Sequence, residues 1–142
     1  MKILIVIATL FALPANACPI VVDVDGKNAA MLDRLSRTMD YSASQRAVNQ
    51  IWRYWQTAPD AQAQEWLDEG LSRIRQMDLE NAQSVLQALV EYCPDYAEGH
   101  NQLAFAQFLA GDYDASEASL KRTLELEPRH FGAIAGMGLI AN

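Results

Sequence analysis

Apolar residues recur along this chain at helical spacing, and the pattern then repeats. Residues 97–130 read AEGHNQLAFAQFLAGDYDASEASLKRTLELEPRH. That is one helix with an apolar face, a Gly-Asp turn, a second such helix and a proline stop. The same plan lies immediately upstream, over 63–96, and Pro94 and Pro128 close the two copies at the same place. A period of about 34 residues predicts an all-α helical solenoid, in which each helix pair buries its apolar face by stacking on the next. The pattern predicts helix A of the first unit over 61–76 and helix B over 79–92. In the second unit it predicts helices over 97–110 and 114–126.

Numbering each unit from its first residue sharpens the pattern. The second unit places Leu103, Ala104, Ser116, Leu120, Thr123 and Pro128 at positions 7, 8, 20, 24, 27 and 32. The first places Trp66, Gly70, Ala82, Leu86 and Pro94 at positions 4, 8, 20, 24 and 32. Small residues let two helices approach where they cross, and large ones fill the space between. These residues resemble the tetratricopeptide repeat (TPR) family, most closely in the GDYD turn and the LELEP tail of the second unit. The first unit departs from the pattern at Glu69, Met77 and Leu89, which stand where the second has Leu103, Gly111 and Thr123. Gly111 suits a left-handed helix end. If Met77 shares that conformation, strain of order 1 kcal/mol follows. The resemblance implies two TPR helix pairs, over 63–96 and 97–130, with helical caps at both ends.

The flanks supply those caps. Residues 18–60 read as an extended leader and an N-terminal helical cap. Its first helix, over 28–39, gathers Met31, Leu32, Leu35 and Met39 on one face, with Asp33 one turn before Arg37. Ser42 would cap the next helix, with Gln45 completing a capping box. That helix aligns Ala47, Val48, Ile51, Trp52 and Trp55. Its two tryptophans, at helical spacing, belong to the core, packed against the first repeat. Asp60 is the expected N-cap of the next helix. Residues 131–142 form a C-terminal capping helix or an incomplete third repeat, with Ile134, Met137 and Ala141 covering the last pair. Leu139 and Ile140 leave this helix more apolar than a terminal cap should be. A second chain would cover that end, or the array is a shortened one. The segment Ile51-Trp52-Arg53-Tyr54-Trp55 resembles the N-terminal cap of small exported bacterial TPR proteins, which implies fold and compartment but no defined activity.

Residues 1–17, MKILIVIATLFALPANA, carry Lys2, an apolar run from Ile3 to Leu13 and an Ala-Asn-Ala site. They read as a signal peptide cleaved before Cys18, sending the protein to the periplasm. The run is too short to span a bilayer comfortably. A lipid anchor on Cys18 is the alternative, although Ala15 stands where such signals usually carry leucine. Removing Lys2 with the signal moves the formal charge from -7 to -8. An acidic surface argues against nucleic acid, whose binding requires Lys and Arg at phosphates. The only cysteines are Cys18 and Cys93. Cys93 reads first as a small buried hydrophobe, and a disulfide to Cys18 is the alternative.

Catalytic chemistry finds little support. The two histidines, His100 and His130, lack a companion pattern of Cys or carboxylates, so no metal or cofactor is expected. No nucleophile elbow, zinc-protease, redox or P-loop motif occurs. Gly136-Met137-Gly138 follows no strand and is not a dinucleotide motif. Asp23-Val24-Asp25-Gly26 lacks the outer ligands of a calcium loop. Binding has a better candidate. The resemblance implies a concave groove lined by positions 2, 5, 9, 12 and 13 of the A helices. These are Gln64, Leu67, Leu71, Ile74 and Arg75 in the first unit, and Glu98, Asn101, Phe105, Phe108 and Leu109 in the second. Such a groove suits a protein or peptide segment with apolar anchors. The family's clamp for a C-terminal carboxylate is excluded, because Leu67 and Leu71 replace its first Lys and Asn. Residues 28–56, or a second copy in a homo-oligomer, could instead fill the groove. The expected function is non-enzymatic protein binding, as an adaptor or assembly factor. The alternatives are a lipid-anchored envelope-complex subunit and a thiol- or metal-dependent enzyme using Cys93 or the histidines.

Overall fold

The computed structural model of the chain describes residues 18–20, 23 and 26–141. The proposed signal peptide, 1–17, lies outside the described residues, as does part of the leader. Seven helices follow, with no strand among the described residues: α1 Lys27–Ser36, α2 Tyr41–Trp55, α3 Ala61–Arg75, α4 Leu79–Tyr92, α5 Ala97–Leu109, α6 Tyr113–Leu126 and α7 Phe131–Ile140. The fold is the expected all-α solenoid. Helices α3 and α4 form one antiparallel pair and α5 and α6 the next, with α4 packed on α5 and α6 on α7.

The turn chemistry explains where the helices stop. Helix α3 ends with the amide of Asp78 donating to Arg73 O at 3.0 Å and that of Met77 to Ile74 O at 2.9 Å. Helix α5 ends identically, Asp112 to Gln107 O and Gly111 to Phe108 O, both at 3.0 Å. This is the Schellman arrangement, which needs a left-handed residue after the last helical turn. Gly111 has φ 83° and Met77 has φ 58°, so the first repeat adopts the strained turn anticipated for it. Aspartate side chains cap α2, α3 and α6. Asp60 accepts the amide of Ala63 at 2.8 Å and the hydroxyl of Tyr92 at 2.8 Å, which together hold its carboxyl below the usual range.

The small positions act as spacing predicts. A Cβ on Gly70 would stand 2.6 Å from two atoms of Leu86, so only glycine admits α4 this close. Ser116 Oγ donates to Ala104 O at 2.8 Å where α5 and α6 cross. Around these contacts Leu67, Leu86 and Leu89 are fully buried.

Five expectations are corrected. Helix α7 covers the last pair with Ala133, Met137 and Ile140, while Ile134 and Ala141 are exposed. Helix α1 ends at Ser36, because Ser36 Oγ and Thr38 Oγ1 bond the carbonyls of Asp33 and Arg34 and compete with the helix. Met39 is then 98% exposed, and Asp33 pairs with Arg129 at 2.7 Å, not with Arg37. The cap of α2 is Asp40, whose carboxylate takes the Ala43 amide and the Ser42 hydroxyl, both at 2.7 Å. A carboxylate outcompetes the serine two residues later for the helix start. Cys93 is buried as expected, but it is bonded to Cys18, at a sequence separation of 75. The disulfide ties the leader to the end of α4. Finally, the tryptophans of α2 pack on His130 and Phe131 at the far end of the second repeat, not on the first.

Candidate functional site

The last correction creates the site. The loop after α6 delivers His130 into the protein, where it is fully buried. Its Nδ1 accepts the amide of Ala133 at 3.2 Å and so caps α7. Its Nε2 must then carry the proton, which it donates to Glu98 Oε2 at 2.9 Å. Glu98, 1% exposed, also accepts from the amides of Asn101 and Gln102. A buried carboxylate demands such partners. Trp55 stacks on the imidazole at 3.9 Å between ring centroids and 15° between planes. Its indole donates to Asn28 at 3.0 Å, and Asn28 in turn donates to Glu127. Tyr96 donates to the carbonyl of Trp55 at 2.6 Å. Burial, then the charge of Glu98, pushes the Tyr96 phenol far above its usual pKa, so it stays a donor. One polar cluster thus locks α1 and α2 to α5 and α7.

Docked this way, α2 walls one end of a concave cavity between α5 and α7. The cavity measures about 310 Å³. Phe105 and Phe108 come from α5, Leu139 and two glycine backbones from α7, and Trp52 and Gln56 from α2 and its C-cap. Phe105 is 48% exposed and Leu139 63%. Asn101 and Gln102 supply neutral amides, and among the described residues no charged side chain lines the cavity. In a chain with 18 acidic residues, this is an uncharged patch.

The ten groove residues expected from sequence divide sharply. Asn101, Phe105 and Phe108 line the cavity. Leu67 and Ile74 do not: both are buried in the first repeat's core, where Leu71 and Leu109 pack against them. Gln64 is occupied with Ala58, Gln56 and Asp68. Arg75 is exposed away from the cavity, and Glu98 is consumed by His130. The groove narrows to the second repeat because two repeats and a docked hairpin curve around it. Sequence reasoning missed Leu139, which the register would have found, since it holds position 9 as Phe105 does. It also missed Trp52 and Gln56, which no register locates.

The histidines have structural work. His100 donates from Nε2 to Pro94 O at 2.9 Å, and burial keeps its pKa low. Among the described residues no three His, Cys, Asp or Glu stand close enough to hold a metal ion. No described helix is long and apolar enough to cross a membrane.

Residues 37–134, from the turn before α2 into α7, match the family described as the second ARM domain of tetratricopeptide repeat protein 21. The chain belongs to the tetratricopeptide repeat family. A TPR repeat-containing protein of Rhizobium etli is 30% identical over 139 residues, covering 89% of this chain and 67% of that protein. TPR arrays are protein-interaction modules whose concave faces hold their partners. In this TPR chain the second repeat and α7 supply most of the lining of the cavity.

Proposed function

We propose that this TPR protein is an exported, non-enzymatic adaptor or assembly factor that holds a segment of a protein partner between α5 and α7. The observation that carries the reading is the uncharged cavity, with Phe105 half exposed at its wall beside the amides of Asn101 and Gln102. Apolar walls with a few amides suit a partner segment that inserts one or two apolar side chains. A charged clamp for a peptide terminus has no counterpart there. The Cys18–Cys93 disulfide supports export, because such bonds persist in oxidising compartments such as the periplasm. It also favours the diffusing form over the lipid-anchored one, since the Cys18 sulfur cannot hold both an acyl-glyceryl group and Cys93. A thiol enzyme has no free thiol to use here.

The test is capture from envelope extract by the exported protein, with Phe105→Ala and Phe105→Asp variants beside it. A partner retained by the native chain and lost from both variants, whose helical CD spectra are unchanged, supports the groove. Retention by Phe105→Asp overturns it. Intact mass tests the compartment separately: a chain beginning at Cys18 without acyl mass is expected, and a chain retaining residues 1–17 refutes cleavage.

A further inference from the structure

Charge is divided unevenly along this chain. Residues 27–55, the hairpin of α1 and α2, carry five cations and two carboxylates. Residues 56–142 carry five cations and fourteen carboxylates. In that second stretch Arg73, Lys121, Arg122 and Arg129 each pair with a carboxylate. In the hairpin, Arg34, Arg37 and Arg46 are exposed and form no ion pair with a described residue. Arg46 donates to the hydroxyl of Ser42 at 3.1 Å.

These three arginines flank the turn between α1 and α2, and that turn projects. The contacts that dock the hairpin on the repeats come from its base: Asn28 on Glu127, Asp33 on Arg129, and Trp52 and Trp55 on His130. No residue from 36 to 48 is buried. At the turn Met39 is 98% exposed and Tyr41 79%. Asp40, between them, is engaged as the cap of α2 and with the Ser42 hydroxyl. Lone exposed apolar residues are ordinary. An apolar pair among unpaired cations on a projecting turn is the combination that settles on anionic bilayers. A side chain as exposed as Met39 lines no groove, so the turn inserts and does not receive.

We infer that the α1–α2 turn docks reversibly on an anionic phospholipid surface. Met39 and Tyr41 enter the headgroup layer, and Arg34, Arg37 and Arg46 lie against lipid phosphates. Tyrosine suits that depth, with its ring in the apolar boundary and its hydroxyl wet. The formal net charge of -7 opposes docking only at long range. From Trp52 to Tyr41, α2 rises about 17 Å, roughly two Debye lengths at physiological salt. Salt therefore screens the acidic repeats behind the base from a surface that the tip touches. The cavity between α5 and α7 meets α2 at its other end, through Trp52 and Gln56, so occupancy of one site does not depend on the other.

Cosedimentation of the exported protein with vesicles tests this. Vesicles of equal parts phosphatidylglycerol and phosphatidylcholine should bind it, with affinity falling as salt rises. Vesicles of phosphatidylcholine alone should bind it about 100-fold more weakly. Arg34→Gln together with Arg37→Gln should weaken binding about 25-fold, roughly fivefold for each cation removed from an anionic surface. Met39→Ser should weaken it about tenfold by removing the inserted side chain. Lys121→Gln removes one cation from α6, outside the hairpin, and should change binding less than about twofold. All four positions are exposed, so helical CD should not change. No binding to either vesicle, equal binding to both, or binding untouched by the paired arginine substitution overturns the proposal. So does retention by polyglutamate without binding to anionic vesicles, which would make the tip a site for an acidic protein segment.

Discussion

Replacing Met77 with glycine should stabilise this protein. Met77 sits at φ 58° in a Schellman turn otherwise identical to that of Gly111. Placing a residue with a Cβ in that region costs about 1–2 kcal/mol. Glycine relieves the strain but adds unfolded-state entropy worth about 0.5–1 kcal/mol. The methionine is 63% exposed, so little packing is lost, and both turn hydrogen bonds use backbone groups. The net gain is about 0.5–1 kcal/mol, or a rise in Tm of about 2–5 °C for a chain of this size. Urea denaturation followed by CD at 222 nm measures it, alongside Met77→Asn and Met77→Ala. Asparagine tolerates the left-handed region and should gain part of the stability. Alanine keeps the strain and loses the side chain, so it should gain nothing. If alanine stabilises as much as glycine, or glycine does not stabilise, the strain argument is wrong.

The crossing of α3 and α4 predicts the opposite sign for Gly70→Ala. Its new methyl would meet the fully buried Leu86. Overpacking should outweigh the helix-propensity gain and cost about 1–2 kcal/mol, read from the same denaturation midpoint. Glu98→Ala should cost about 3–5 kcal/mol, because it strands the buried His130 N–H and two amide donors. It should also quench the stacking-dependent near-UV CD of Trp55, and intact Trp55 signal in the variant would refute the cluster's locking role. Reducing the Cys18–Cys93 bond releases a long loop, its ends separated by 75 in sequence. The chain-entropy relation gives about 4.5 kcal/mol for it. A denaturation midpoint unmoved by dithiothreitol would show that the bond does not constrain the unfolded chain.

The sequence by itself determined the helices of the two repeats and their pairing. Gly70, Ala82 and Leu86, or Ala104, Ser116 and Leu120, meet within one hairpin, so their roles follow from local spacing and turn chemistry. Local geometry likewise made the strain at Met77 legible, since its hydrogen bonds lie within a few residues. Some groove residues were legible for the same reason: Phe105 and Phe108 face the concavity by register. What only the tertiary structure decided is how the N-terminal hairpin docks. Trp55 and Glu98 both meet His130, each from a different and distant helix. No periodicity encodes such contacts, because they depend on how two repeats curve and where the turn after α6 points. That docking assigned Glu98 to the interior and moved Trp52 to the wall of the cavity. Packing among α3, α4 and α5 keeps Leu67 and Ile74 in the core, where a longer array's consensus would place an open groove. The disulfide belongs to the same class: two cysteines fix no distance until the leader and the end of α4 are brought together in space.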